Sequence, residues 1–379
     1  MHRATSTYIF LYSSLSLLLP FIFLADGLAQ STDKTPIAFG FVLPLTGEAS
    51  DYGVAVKNGF QLGLRRSGLG KDKLNLVFED SPYSSAGAVT AFKSLTDFSR
   101  VDAVVPWGVV FCSVLGAQAE AKKIPLLGVC VSEQASRGHP HVIRFMNGAS
   151  EYMEALAHVL REEEIKCVAV VATDQSYDTE LLAAFKRAYG KDVDSEKIEM
   201  LAEHSATDVD FRSTIDRIIR SKSEAVVALL GVGKLSLFVR QLRERRFSGR
   251  VFGSNTCESK SERDVSPAAF EQIYFINESI SPAFRELYQN SYGSENQISF
   301  AGAAFELGQM TGKILKQCPD CNGERLLQAY REIREWNGQA TGSGKFLNTL
   351  EGGQHWKYPL VLKQILNGKI VELRAAEKK

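Results

Sequence analysis

This sequence has no surplus of charge of either sign. Its 44 lysines and arginines balance 44 aspartates and glutamates, whereas nucleic-acid binders carry a basic footprint; nucleic acid is therefore not an expected partner. Beyond the N-terminus it has no hydrophobic run of membrane-spanning length: AVVALLGVG, residues 225–233, is too short and is flanked by charges. Cysteine is scarce, at six residues, and its placement is unlike that of a disulfide-built miniature fold. Repeats of solenoid period and low-complexity linkers are absent as well.

Catalytic signatures are missing in the same way. No G-x-S-x-G elbow and no H-E-x-x-H pair occurs. GVGKLS, residues 231–236, invites a nucleotide reading, but a P-loop requires glycine where Ala228 stands and Ser or Thr where Leu235 stands. A dinucleotide fingerprint fails at Ser236, which occupies the place of its last glycine. His139 and His141 lack the Cys or carboxylate neighbours that would complete a metal set. A Cys112 nucleophile would need a histidine partner that the sequence does not assign. The chain is read as a non-enzyme, with no catalytic residue, cofactor or metal expected.

At the N-terminus, His2 and Arg3 precede an apolar stretch from Tyr8 to Leu24, and GLAQS offers small residues around Ala29. That is the layout of a cleaved export signal over residues 1–29. Ser13, Ser14, Ser16 and Pro20 interrupt a run already short for a membrane anchor. The remaining residues, about 350, favour two domains at roughly 100–200 residues each. In an exported chain, Cys318 and Cys321 of CPDC read as a loop disulfide and Cys167 of CVAVVA as a buried core thiol. Cys112 and Cys130 pair only if their Cα atoms come within about 7 Å.

Short apolar strands alternate with longer helical patterns: PIAFGFVLPL, LNLVFEDSP, VDAVVPWG, IPLLGVC, KCVAVVATD and AVVALLGVG each lie beside such a segment. Strands apolar on both faces and alternating with helices form parallel sheets covered on both sides. The expected fold is α/β, with two doubly wound parallel-sheet lobes joined by a hinge. Residues 36–149 with 279–345 are assigned to the first lobe, and 150–278 with 346–376 to the second. Near the end, Asn367-Gly368 is a strong hairpin signal.

In such sheets ligands bind beyond the carboxyl ends of the strands. Thr46, Tyr52, Asp80, Tyr83, Trp107 through Ser113, Ser132, Glu133, Asp174 and Tyr177 fall there. Helix N-termini that follow favour an anion such as a carboxylate, although Ser113 and Ser132 also suit ordinary N-caps. Tyr52 and Tyr177, one from each lobe, are placed to hold a ligand from both sides, and Trp107 to wall an apolar part of it.

Eight segments carry a family resemblance by their order and spacing: FVLPLTGEASDYGVAVKNG, FEDSPYSSAGAV, KKIPLLG, VIRFMNGASEY, VVATDQSYDTELLAAFKRAYG, DVDFRSTIDRI, FRELYQNSYG and AAFELGQM. Together they resemble the branched-chain amino-acid (leucine/isoleucine/valine) binding group of the type I periplasmic binding proteins, receptors of ABC transporters. The resemblance implies that Tyr52 lines the ligand cleft, that the residues around Cys112, Ser113 and Ser132 bind a ligand carboxylate, and that Tyr177 contributes from the second lobe. Asp178 follows that tyrosine where the family has glycine. Asn255 lies nearest the place of the acid that meets an α-ammonium, with Glu258 a little beyond. The function implied is that of an exported, periplasmic, monomeric receptor. It would close on a small amino acid or related carboxylate or amide and pass it to a membrane ABC permease. The alternative is a ligand-sensing or protein-interaction module of the same fold, not coupled to transport.

Overall fold

A computed structural model describes residues 36–190, 197–221 and 223–376. The export signal expected over residues 1–29 lies outside the described residues. No described helix is long and apolar enough to cross a membrane.

The strands, in chain order, are β1 (Ile37–Leu43), β2 (Leu74–Asp80), β3 (Ala103–Pro106), β4 (Leu126–Gly128), β5 (Val142–Arg144), β6 (Cys167–Thr173), β7 (Lys197–His204), β8 (Ala225–Leu229), β9 (Arg250–Gly253), β10 (Ile273–Glu278), β11 (Glu335–Asn337), β12 (Ser343–Thr349), β13 (Gly353–Lys357), β14 (Leu360–Leu366) and β15 (Lys369–Ala375). The helices are α1 (Ser50–Ser67), α2 (Ser85–Lys93), α3 (Gly108–Lys122), α4 (Ala149–Glu162), α5 (Ser176–Ala188), α6 (Arg212–Arg220), α7 (Leu235–Glu244), α8 (Lys260–Val265), α9 (Pro282–Tyr292), α10 (Ile298–Gln317) and α11 (Gly323–Glu332).

Two sheets result, in the orders β11-β12-β13-β5-β4-β3-β1-β2 and β15-β14-β10-β9-β8-β6-β7. Their inner strands pair in parallel, and helices covering both faces explain why β3 and β8 are buried throughout. Antiparallel pairs close one edge of each sheet, β11–β12–β13 in the first and β10–β14–β15 in the second. The β14–β15 hairpin turns at Asn367 and Gly368, with φ of 53° and 72°, the left-handed pair that this dipeptide favours.

One boundary moves. The expectation that the second lobe resumes at residue 346 is corrected, because β12 and β13 join the first sheet through the parallel pairing of β13 with β5. The chain returns to the second sheet only between Lys357 and Leu360.

In the first lobe, α1 and α10 pack backbone to backbone. A β-carbon at Gly59 would lie 2.1 Å from the Ala301 carbonyl oxygen, and one at Gly63 the same distance from that of Phe305. Small residues on both helices are what permit this approach.

Three crossings join the sheets, after β5, β10 and β13, and one side chain ties them together. Asn147 donates to Glu278 Oε1 at 3.0 Å and to the Tyr358 carbonyl at 3.2 Å, and its own carbonyl accepts the Tyr358 N–H at 3.2 Å. All three residues are buried. Nearby, Lys363 of β14 donates to Glu258 and to Ser299 of α10, both at 3.1 Å, and Glu258 accepts the Ser299 N–H at 2.8 Å.

Of the cysteines, Cys318 and Cys321 form a disulfide with Cα atoms 5.3 Å apart. Cys112 and Cys130 are free and buried. Cys167 is half-buried rather than the fully buried core thiol expected, because it opens β6 at the sheet's end.

Candidate functional site

The cavity that matters is fixed by topology. In the first sheet β1 lies between β2 and β3, and in the second β6 lies between β7 and β8. Connections leave β1 and β3, or β6 and β8, toward opposite sides, so the strand ends part and leave a crevice. The residues just past those ends surround one cavity of about 670 Å³: Thr46–Ala49 after β1, Trp107–Val110 after β3, Asp174–Tyr177 after β6, and Gly231–Val232 after β8.

A larger groove of about 820 Å³ runs along α10 and α11 beside the Cys318–Cys321 disulfide. It is lined by the first lobe alone and touches no carboxyl end of a parallel strand, so it is not the functional candidate.

The loop after β1 is held rather than loose. Asp80, at the end of β2, accepts the Leu45 N–H at 2.8 Å, the Thr46 N–H at 3.2 Å and the Thr46 hydroxyl at 2.7 Å. Loss of some hydration pushes this carboxyl's pKa up, but the bonds from Thr46 and Leu45 outweigh it and hold the exposed group below its ordinary value. The start of α1 then lies on the loop, where a β-carbon at Gly53 would stand 2.1 Å from the Pro44 carbonyl oxygen. Glycine there lets Tyr52 reach the cavity.

Aromatic rings form the first lobe's wall. Trp107 lies 4.5 Å from Tyr52, 5.1 Å from Tyr83 and 5.7 Å from Phe300 between ring centroids, and the Tyr52–Phe300 pair meets edge to face at 5.4 Å. The Tyr52 hydroxyl and the Trp107 indole nitrogen are buried with no hydrogen-bond partner. Burial first, and the Glu262 charge second, raise the Tyr52 pKa. Gly108 opens α3 with φ of 84°, and a β-carbon there would be 2.6 Å from the Tyr83 hydroxyl.

The second lobe supplies Tyr177, whose hydroxyl donates to Asn255 Oδ1. Beneath it, Asp178 is buried; its Oδ2 accepts the Thr173 hydroxyl at 2.5 Å and the Thr173 N–H at 3.2 Å, while Oδ1 has no partner. Burial pushes this carboxyl up to about 7, against the lowering effect of the Thr173 bonds.

Tyr52, Trp107, Tyr177 and Asn255 therefore stand around one cavity, and three other expected ligand residues do not. Cys112 is buried on the far side of the first turn of α3, its sulfur toward Gly128 and Cys130. Ser113 and Ser132 hydrogen-bond each other at 3.0 Å, on the flank where α3 approaches α5 and Glu180 bonds Ser132. The carboxylate site expected of these three is corrected: Val109, Val110, Cys130 and Val131 face the cavity instead. Glu258, considered for an ammonium, is spent on Lys363 and Ser299.

Glu48 and Phe300 also line the cavity. Glu48 lay unremarked within the first loop, and Phe300 comes from α10, whose place beside α1 no local sequence pattern announces. Among the described residues no group of His, Cys, Asp and Glu is arranged to hold a metal ion.

A family model described as "periplasmic binding protein" matches residues 36–358. The fold is similar to the leucine binding protein LivK of Thermotoga maritima, at 18% identity over 89% of this chain and 98% of that one, with a TM-score of 0.79. It is also similar to LivJ of Streptococcus pneumoniae in complex with isoleucine, at 20% identity over 89% and 100%, TM-score 0.76. An R. palustris ABC-transporter solute binding protein in complex with benzoate matches at 17% identity over 90% and 96%, TM-score 0.76. No curated protein matches the sequence. With a family model spanning most of its length, the chain belongs to the periplasmic binding protein family.

Proposed function

We infer that the protein is an exported, non-enzymatic solute receptor that closes its two lobes on a small organic molecule and delivers it to a membrane ABC permease. One observation carries this reading: a cavity of about 670 Å³ at the switch points of both sheets, walled from each lobe. Its size falls within the range of about 300–1,000 Å³ that suits small molecules. Membership of the family supports the role, and the ligands named for similar structures, leucine, isoleucine and benzoate, make an amino acid or a related carboxylate or amide the first class to consider. The chain would act as a monomer, since closure needs only its own lobes.

The test is a melting curve in the dialysable small-molecule fraction of the source cells. A ligand present at 100 times its Kd stabilises the native state by about 2.7 kcal/mol, so a clear upward shift in Tm is expected. Tyr177→Ala should retain the ligand-free Tm while affinity falls by about 2 kcal/mol, roughly thirty-fold. An identical shift in the variant would remove the cleft from the account.

A further inference from the structure

The cleft carries a pattern of rings and charge that solute binding by itself does not require. Glu48 from the first lobe and Asp174 from the second line it, and none of its lining residues is Lys, Arg or His. Arg263, on α8, is not among them; it donates to the Cys257 and Glu258 carbonyls at 2.8 and 2.7 Å. Five of the remaining lining residues are aromatic, the four-ring group around Trp107 on one side and Tyr177 on the other.

Three helices, α1, α3 and α5, begin beside the cavity; α1 and α5 already carry Asp51 and Asp178 in their first turns, and the start of α3 is covered. The first N–H groups of α3 attract a carboxylate in principle, but the Tyr83 phenolic oxygen lies beside those of Val110 and Val109 and over Gly108. A carboxylate entering the cavity would meet Glu48 and Asp174, both exposed and the latter accepting the Ala206 N–H, and find no lining cation to offset the water it loses. A cation would meet two opposite charges beside an aromatic wall, and both attract it.

We propose that the ligand of this cleft is an organic ammonium with an apolar or aromatic body and no carboxylate. This rests on the solute-binding reading above and replaces the carboxylate class within it. The cavity's volume admits an indole-sized body.

Two matched series test it by calorimetry on the purified protein after removal of co-purified ligand: benzylamine, benzyl alcohol and benzoate; and tryptamine, tryptophol and indole-3-propionate, with isoleucine as the zwitterion. The amine of at least one series should bind roughly tenfold or more tighter than its alcohol, and its acid not measurably. Added salt should weaken the amine selectively. Asp174→Asn and Glu48→Gln should each cost the amine roughly three- to tenfold and leave the alcohol unchanged. Equal affinity for amine and alcohol, or tighter binding of an acid or of isoleucine, would overturn the ammonium while leaving a solute-binding cleft. Silence from every compound would overturn both.

Discussion

Asp178 shows how a single residue ties burial to a measurable property. Its carboxyl is buried beneath Tyr177 with one oxygen unpartnered, and burial raises it to about 7. Between an ordinary carboxyl pKa of about 4 and about 7, the folded state keeps a proton that the unfolded state has released. The folded state binds more protons there, so stability falls as pH rises through that window. Urea denaturation at intervals from pH 4 to 8 should show this decline, and Asp178→Asn, which carries no titrating proton, should flatten it. An unchanged slope in the variant would assign the pH dependence elsewhere. At this scale the site was partly legible. Tyr52, Trp107 and Tyr177 line the cavity as expected of residues between a parallel strand's carboxyl end and the first turn of the helix that follows it. Cys112, Ser113 and Ser132 were misplaced because a strand end says where a helix begins but not which side of its first turn faces the cavity. Gly108 begins α3, so the cavity receives Val109 and Val110.

Elements were more legible than residues, since continuous apolar strands and Asn367-Gly368 are local signals. The late edge strands were not: β12 and β13 alternate buried and exposed positions, or bury polar ones such as His355, and nothing local says which sheet they join. The crossings carry the most concentrated polar burial, and their energetics follow from it. Removing the Asn147 side chain strands the Tyr358 N–H and carbonyl together, while Glu278 keeps the Tyr152 hydroxyl at 2.6 Å. At roughly 1–3 kcal/mol for each buried group left unsatisfied, Asn147→Ala should lose about 2 kcal/mol or more by urea denaturation; a loss below about 0.5 kcal/mol would mean water replaces the amide. Lys363→Met leaves Glu258 buried without its counter-charge, at a cost of about 3–5 kcal/mol. Adding Glu258→Gln should restore much of that loss, because the uncompensated charge is then gone. No recovery in the double variant would show that the lysine matters by its packing instead.

Over the whole molecule, three crossings and a cavity faced from both sheets describe a clamp around the place where a ligand would sit. In the present conformation the flank is bridged where the Glu133 N–H donates to Glu180 Oε1 at 2.6 Å, while the cavity itself stays between the jaws. A protein built this way should carry its solute through purification when affinity is high. The most direct measurement is native mass spectrometry of the protein purified from the exported fraction of its source cells, with the small molecule identified after denaturation. The account predicts one organic molecule per chain, bearing an ammonium, lost in Tyr177→Ala and displaced by the tighter amine of the matched series. A protein that is ligand-free in every preparation, and whose mass and melting temperature respond to no small molecule offered, would contradict it.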